Sequence, residues 1–190
     1  MESALIVSAS ADETFLFAQL LNAAFVNNIA ALTTCAEARR LLLEREFDLV
    51  VINAPLKDET GEALARNIAT KGFYQVILAV KNEHFYETTS VCGAYGILTV
   101  AKPLHQEVFW AALALAESAS NLLKAMQKDN RQLKQKMEDI RLIDRAKWFL
   151  ITAKSFSEQA AHRYIEKRAM DLRTTKRAVA EDILKNFGNY

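Results

Sequence analysis

The chain has 190 residues, of which 51% are hydrophobic and 25% are charged, and its formal net charge is +1. This composition is typical of a folded globular protein and excludes a chain that is disordered throughout. No apolar run approaches the roughly 18 to 20 residues of a membrane span, and the start lacks the pattern of a signal peptide, so we expect a cytoplasmic protein with no membrane partner.

The near-neutral net charge is the sum of two halves of the chain with opposite charge. Residues 1–118 contain 8 basic and 14 acidic side chains, whereas residues 119–190 contain 16 basic and 9 acidic side chains, so the net charges are −6 and +7. Both prolines and four of the five glycines lie before residue 104. This asymmetry predicts two modules, the second of which faces a polyanion.

Strand-like and helix-like runs alternate through residues 1–118. The predicted strands are residues 4–7, 29–32, 48–53, 75–80 and 96–101, and the predicted helices between them are residues 12–25, 36–45, 61–70 and 83–92. Five short apolar strands alternating with helices predict an α/β fold, a doubly wound parallel sheet covered on both faces. Ligands of such sheets lie beyond the carboxyl ends of the strands, where the residues are Ser8, Ala9, Asn53, Val80 and Lys102.

Two motifs give this module a family resemblance. Residues 48–55, Asp-Leu-Val-Val-Ile-Asn-Ala-Pro, resemble the strand of response-regulator receiver domains that ends in the phosphorylated aspartate. Residues 101–104, Ala-Lys-Pro-Leu, resemble the end of the fifth receiver strand. The resemblance covers residues 4–118 and implies the flavodoxin-like strand order.

The same resemblance implies that the phosphorylation site is degenerate. The acidic pair that holds Mg²⁺ in the family falls on Ser8 and Ala9, the phosphoacceptor aspartate on Asn53, and the switch threonine or serine on Val80, so that only Lys102 matches. An amide cannot replace a carboxylate nucleophile, and Ser-Ala offers no ligand for a hard cation. We expect a pseudo-receiver without metal or cofactor, in which Lys102 forms a hydrogen bond with Asn53.

From residue 105 the pattern becomes helical. Apolar side chains recur every three or four residues over 109–126 and, after a polar layer at Asp129 and Asn130, over 133–143. This spacing predicts that the last helix of the first module continues as a coiled coil over residues 119–140. A lone helix would leave its apolar stripe in water, so we favour a parallel homodimer over a single helix that packs on its own chain.

Three amphipathic segments are predicted in residues 141–190. Ser157 is a suitable N-cap for the second segment, and Thr174 or Thr175 for the third. Helices this short bury their apolar faces only against one another, so an all-α three-helix bundle is expected. Its predicted core residues are Leu142, Ile143, Ala146, Phe149, Leu150, Ala153, Ala161, Tyr164, Ile165, Ala169, Leu172, Val179, Ala180, Ile183, Leu184 and Phe187.

Motifs in all three segments resemble those of the ANTAR domain. They comprise residues 143–147, 157–165, 169–171 and 176–184, in register with the family pattern. The ANTAR domain is the RNA-binding module of the AmiR and NasR family of transcription antitermination regulators, in which the order receiver, coiled coil and ANTAR domain is usual. The resemblance implies a dimer that binds stem-loops in nascent leader RNA and prevents a terminator hairpin from forming.

The residue types also indicate RNA independently of the resemblance. Lysine and arginine neutralise phosphates, and a ring or guanidinium plane stacks on an unpaired loop base. The candidate RNA-binding residues are Arg141, Arg145, Lys147, Arg163, Lys167, Arg173, Lys176 and Arg177. For Trp148 and Tyr164 we expect packing in the core or the dimer instead, because large aromatic side chains dominate buried contacts.

No catalytic or metal-binding constellation stands out in the sequence. The three histidines share no ligand spacing with one another or with Cys35 and Cys92, so we expect neither an enzyme nor a metal site. The expected function is RNA-binding antitermination, regulated through the pseudo-receiver by a partner protein or a small ligand. Two alternatives are an interaction adaptor without RNA binding and a DNA-binding response regulator with a helix-turn-helix tail.

Overall fold

The computed structural model of this chain describes residues 1–71 and 74–187, apart from the side chain of Phe187. The chain divides into two compact units, residues 1–124 and the residues from 125 onward. Within the described residues, no helix combines the length and the apolar character that a bilayer crossing requires.

The first unit is built on a five-stranded parallel sheet. Its strands are β1 (Ser3–Ser8), β2 (Asn28–Leu32), β3 (Leu49–Asn53), β4 (Gln75–Lys81) and β5 (Leu98–Lys102). The strand order is β2-β1-β3-β4-β5, and every neighbouring pair is parallel. This is the doubly wound, flavodoxin-like order, so the predicted fold class is confirmed.

Helices cover both faces of the sheet and bury its apolar strands. They are α1 (Ala11–Ala23), α2 (Cys35–Glu44), α3 (Glu62–Thr70), α4 (Phe85–Gly93) and the first part of α5 (Gln106–Lys154). One face packs against α2, α3 and α4 in a cluster around Val50 and Ile52. The other face packs against α1 and α5, where the rings of Phe17 and Phe109 are 5.4 Å apart. The alternating strand residues therefore belong to two separate cores.

Two boundaries of helices or strands differ from the prediction because a nearby residue has a positive φ angle. Helix α1 ends at Ala23, before the predicted end at residue 25, because Phe25 has a φ of 61°. Strand β5 begins at Leu98, later than the predicted residue 96, since Gly96 has a φ of 74°. Both residues adopt the left-handed region, which interrupts a helix or a strand.

Helix α5 is 49 residues long and has no break between the predicted linker and the first predicted segment of the tail. It ends at Lys154, where Ser155 adopts a φ of 56°. Helix α6 (Glu158–Asp171) begins after Ser157, whose hydroxyl accepts a hydrogen bond from the Ala160 amide. Helix α7 (Lys176–Phe187) begins after Thr175, whose hydroxyl accepts a hydrogen bond from the Ala178 amide at 3.2 Å.

The last turns of α5 pack with α6 and α7 around a small apolar core, as predicted for the three-helix bundle. The buried residues are Ala146, Leu150, Ala161, Ile165, Ala169, Val179, Ala180 and Ile183, with Leu142, Ile143, Phe149 and Leu184 partly buried around them. Ala153 and Leu172, which were predicted in this core, are exposed. Leu172 follows the last residue of α6, so helical periodicity no longer directs its side chain, and Ala153 lies in the last turn of α5. The predicted core side chain of Phe187 lies outside the described residues.

Candidate functional site

Three of the predicted site residues meet at the carboxyl edge of the sheet. Ser8 and Asn53 are direct neighbours across the β1–β3 pairing and are 1% and 2% exposed. The Asn53 amide nitrogen Nδ2 donates a hydrogen bond to Ser8 Oγ at 2.9 Å, and Lys102 Nζ donates one to Asn53 Oδ1 at 3.1 Å. The side-chain amide of Asn53 is therefore fixed from both ends.

The other two predicted residues at this edge add no polar group. Ala9 has no functional side chain, and it lines a shallow depression together with Ser8 and Phe15. Val80 is 3% exposed and belongs to the apolar cluster on the α2–α4 face of the sheet. Neither residue joins the hydrogen bonds around Asn53.

Glu13, which was not predicted at this edge of the sheet, supplies a carboxylate to this site. Its Oε2 accepts a hydrogen bond from Asn53 Nδ2 at 2.7 Å, and its Oε1 lies 3.6 Å from Lys102 Nζ. The site thus contains one ammonium, one amide and one carboxylate, all from the same chain.

The N-cap of α1 explains how Glu13 reaches the site. The Glu13 amide donates to Ser10 Oγ at 3.3 Å, which places Glu13 in the first turn of the helix. In a capping box the side chain of this glutamate accepts from the N-cap amide. Here the Ser10 amide donates to Ser8 Oγ instead, and the Glu13 carboxylate is directed to Asn53. The spacing Ser-x-x-Glu directly after β1 is the sequence signal that points to this residue.

The donor set at this edge does not fit Mg²⁺. The cation prefers near-octahedral oxygen ligands, of which carboxylates are the most effective in proteins. Only Glu13 offers a carboxylate among the residues of this network, and that group already contacts Asn53 and Lys102. The side chain at the end of β3 is the amide of Asn53, which is not a carboxylate nucleophile.

One cluster elsewhere in the first unit contains residues that can bind a metal ion, but its carboxylates already accept hydrogen bonds within the chain. Potential ligand atoms of Cys35, Asp58 and Glu59 lie within 4.8 Å of one another. The Asp58 carboxylate accepts hydrogen bonds from the amides of Cys35 and Ala36 at 3.0 Å each, and Glu59 forms a two-fold hydrogen bond with Arg39. Burial, followed by the charge of Asp58, raises the pKa of Cys35 to about 11. The cluster therefore caps the N-terminus of α2.

The eight basic residues predicted to bind RNA separate into two groups in the second unit. Three of them form ion pairs within the chain. Lys147 lies 2.8 Å from Asp144, Lys176 contacts Glu166, and Arg177 lies 2.6 Å from Asp139 and 2.9 Å from Glu181. The hydrogen bond from Arg177 is the main cause that lowers the pKa of Asp139, and the one from Lys176 lowers the pKa of Glu166. The pairs of Lys176 and Arg177 join α7 to other helices of the unit, whereas the Lys147–Asp144 pair lies within α5.

The other five basic residues are exposed and form no ion pair with any described residue. They are Arg141, Arg145, Arg163, Lys167 and Arg173. Because α6 and the last turns of α5 bury their opposite sides in the shared core, these basic residues point outward.

Four of these five residues lie in two rows with the same spacing. Helix α5 carries Arg141 and Arg145 followed by Trp148, and α6 carries Arg163 and Lys167 followed by Met170. Members of each row are separated by four and then three residues, which places them within about 60° of one another around the helix axis. We call them the α5 row and the α6 row. Each row consists of two cations followed by a large apolar side chain.

The two aromatic residues of the tail differ in their surroundings. Trp148 was expected in the core or in the dimer; it is 70% exposed, so it does not pack in the core of its own chain, and packing in the dimer stays a prediction. Its position opposite the buried Ala146 and Leu150 is the reason. Tyr164 is 36% exposed, contacts the Phe156 ring edge-on at 5.7 Å and accepts a hydrogen bond from Arg168.

Apolar residues along α5 are also exposed. Leu115 and Leu122 in the first unit are 61% and 63% exposed. Met126, Leu133 and Ile140 in the second unit are 58%, 60% and 59% exposed. The last three follow one another at intervals of seven residues, the heptad period of coiled coils.

The fold and these residues define a class of protein. A parallel sheet of order β2-β1-β3-β4-β5 with Lys102 at the end of β5 is a receiver fold, and it is followed by a helical unit with basic surface rows. Residues 131–184 match the family model described as the ANTAR domain. The chain therefore combines a unit with the receiver fold and a segment, residues 131–184, that matches the ANTAR domain.

Comparison with known proteins agrees with this assignment. The chain is 29% identical over 154 residues to the transcriptional regulatory protein PdtaR of Mycobacterium tuberculosis, and the match covers 80% of this chain and 74% of PdtaR. It is similar in structure to a response regulator receiver domain protein of Clostridium thermocellum, with a TM-score of 0.57 and 16% identity over 65% of this chain and 99% of the other. A signal receiver domain from Pseudomonas fluorescens Pf-5 gives a TM-score of 0.55 with 20% identity over 67% and 92%. The solved structures show the fold alone.

Proposed function

We propose that this protein is a transcription antitermination regulator that binds stem-loops in nascent leader RNA. The observation that carries the proposal is the set of five exposed basic residues without ion-pair partners among the described residues, within an ANTAR domain. A cation already paired within the chain would lose that pairing on binding a phosphate, whereas an unpaired one displaces only water and counterions. The five residues are therefore the strongest candidates for phosphate contacts.

In this proposal the three ion-paired basic residues have a structural role and do not contact RNA. Lys176 and Arg177 join α7 to the helices that carry the two rows, and Lys147 lies 3.9 Å from Glu158 of α6. We assign residues 141–190 to the RNA-binding domain, residues 119–140 to a coiled-coil segment and residues 1–118 to a pseudo-receiver. The net charge of +7 over residues 119–190 supports a polyanionic partner for this half of the chain.

We further propose that the protein acts as a parallel homodimer. The support comes from α5, where Met126, Leu133 and Ile140 leave more than half of their surface in water at a heptad spacing. A second copy of the same helix would cover these side chains, and burying apolar surface contributes about 25 cal/mol per Å². Two ANTAR domains in one assembly would hold two stem-loops of a leader transcript.

Regulation through the pseudo-receiver would then come from a partner protein or a small ligand. Phosphoryl transfer lacks a nucleophile at Asn53, and the cation that remains, Lys102, faces the carboxylate of Glu13. An incoming phosphoryl group would have to displace that carboxylate. A surface outside this network is the more accessible target for a regulator.

The proposal is tested by the affinity of the full-length protein for two nucleic acids over a series of salt concentrations. One is a pool of two-hairpin RNAs with randomised loops, and the other is a duplex DNA of equal charge. If the five exposed residues contact phosphates, the logarithm of affinity for RNA falls with the logarithm of salt with a slope of about −3.5 per protomer. We expect a preference for RNA that persists at high salt, because base contacts are less sensitive to salt.

Other outcomes assign another function. Equal and steeply salt-dependent binding to both nucleic acids contradicts stem-loop recognition. Tighter binding to duplex DNA identifies a DNA-binding response regulator. Binding to neither, with an intact fold, identifies an interaction adaptor.

A further inference from the structure

Trp148 is the most unusual side chain of the second unit. Tryptophan is highly buried on average because of its large apolar surface, but Trp148 is 70% exposed. It lies one turn after Arg145 and two turns after Arg141, on the side of α5 that faces away from the core. An indole in this position remains in water unless something outside the described chain covers it.

A second copy of α5 is the competing partner for Trp148, because exposed apolar residues precede it on the same helix. Ile140 is eight residues earlier on the same helix, so Trp148 is turned from it by about 80° around the axis. The next heptad position after Ile140 is Lys147, whose side chain is 18% exposed and pairs with Asp144. The exposed heptad row therefore ends at Ile140, before Trp148. Met137, which is 55% exposed, lies within about 20° of Trp148 around the axis, so the sedimentation measurement below decides between a second copy and another partner.

The neighbours of Trp148 indicate the chemistry of its partner. Arg141 and Arg145 form no ion pair with any described residue, so two free guanidinium groups precede the ring along one side of the helix. Guanidinium groups bind phosphates, and an aromatic ring stacks on a base that is not paired. A base within a duplex is already stacked on both faces, whereas a loop base offers a free face.

We propose that Trp148 is a base-stacking residue that receives one unpaired base of an RNA loop, while Arg145 and Arg141 contact the phosphates next to that base. The α6 row ends in Met170, which has no ring, so the α6 row contacts RNA mainly through the charges of Arg163 and Lys167. This inference rests on the proposed RNA-binding function. It adds that the α5 row distinguishes loops from paired stems.

The first test compares two hairpins selected from the randomised pool, identical in stem but with either a normal loop or a loop of abasic nucleotides. Stacking on an aromatic residue contributes about 1 to 3 kcal/mol per base, or roughly 5- to 150-fold in affinity. We expect Trp148→Ala to weaken binding of the normal loop at least fivefold and Trp148→Phe to retain most of the affinity. Binding of the abasic loop should not change in either variant. Tyr86→Ala is the matched control, because Tyr86 is an aromatic residue that is 85% exposed in the first unit.

The second test observes the ring directly. The chain has two tryptophans, so Trp148 is the only one left in a Trp110→Phe variant. Addition of the normal hairpin should quench its fluorescence, and the abasic hairpin should not.

Several results overturn the inference. If Trp148→Ala binds the normal loop as tightly as the unaltered protein, and its fluorescence is not quenched, the ring has no part in recognition although the protein binds RNA. If Trp148→Ala instead turns a dimer into a monomer in sedimentation, the ring belongs to the protein–protein interface. If the unaltered protein binds neither hairpin, the proposed function fails and the stacking site fails with it.

Discussion

The Arg177 guanidinium lies 2.6 Å from the Asp139 carboxylate and joins α7 to a residue 38 positions earlier on α5. Arg177 also contacts Glu181, one turn later on its own helix. Arg145 has the same side chain but no ion-pair partner among the described residues. The two arginines therefore have different neighbours in the same domain, although both were predicted to bind RNA.

Substitution of these residues by alanine should distinguish arginines that contact RNA from arginines that join helices of the domain. We expect Arg145→Ala and Arg163→Ala to weaken RNA binding about fivefold each and to reduce the salt slope by about 0.7, since each removes a phosphate contact. Arg177→Ala should lower the midpoint of thermal unfolding and leave the salt slope unchanged. Arg40→Ala, an exposed arginine of the first unit, is the control for loss of a charge. Equal effects of Arg145→Ala and Arg177→Ala on RNA binding would contradict this division.

Leu133→Lys should disrupt the proposed dimer. Leu133 is 60% exposed at a heptad position of α5, and a charge there would have to be buried against the second copy. Sedimentation equilibrium at micromolar protein should show a shift from dimer to monomer. Leu172→Lys is a close control, because Leu172 is 59% exposed but lies after the end of α6. A dimer that survives Leu133→Lys and not Leu172→Lys would place the interface elsewhere.

Asp48 should make stability depend on pH in the acid range. Burial alone would raise the pKa of its carboxyl, but hydrogen bonds from the Glu2 amide, Lys124 and the Ser3 amide lower this pKa from 3.8 to about 2. A lowered pKa in the folded state contributes stability above the unfolded value, and this contribution is lost as the pH falls from about 4 to about 2. The expected contribution at neutral pH is about 2 kcal/mol.

The measurement is urea unfolding from pH 7 to pH 2. Asp48→Asn should be less stable than the unaltered protein at pH 7, and the difference should shrink below pH 4. Asp12→Asn, at an exposed position in the first turn of α1, should show no such difference. A constant difference across the pH range would mean that Asp48 contributes through its shape and not through its charge.

Acetyl phosphate with Mg²⁺ should leave the mass of the protein unchanged. The position that corresponds to the receiver phosphoacceptor is Asn53, whose amide is held by Ser8, Glu13 and Lys102. Intact-protein mass spectrometry after incubation is the measurement, and a receiver domain with its aspartate intact serves as the positive control. A phosphoryl adduct that is labile at alkaline pH would contradict the pseudo-receiver assignment.

The first unit was predictable because its strands are continuous apolar runs. Strand β3, for example, is buried at every position from Leu49 to Asn53, as its sequence indicates. The ends of the helices and strands were less predictable where a single residue such as Phe25 adopts a left-handed backbone conformation, because its residue type does not indicate that conformation. The division of the tail into three segments was correct for α6 and α7, but the first segment is continuous with α5 because no residue there interrupts the helix.

The site residues were predictable only in part. Residues after the strand ends could be named from topology, but Glu13 comes from the next helix and enters the site through its N-cap. Lys176 and Arg177 looked like free cations because their partners Glu166 and Asp139 are distant in sequence. Trp148 was expected in the core or the dimer from its residue type, while its helical position directs it away from the core of its own chain.

The carboxylate of Glu13 has a further consequence for how the receiver-fold unit responds to its surroundings. A group attached to the same chain is present at an effective concentration in the millimolar range or above, whatever the composition of the solution. Free anions that approach Lys102 compete with a ligand that cannot diffuse away. The site should therefore be insensitive to the supply of phosphoryl donors in the cell. Its response would follow the abundance of whatever binds the protein's outer surface.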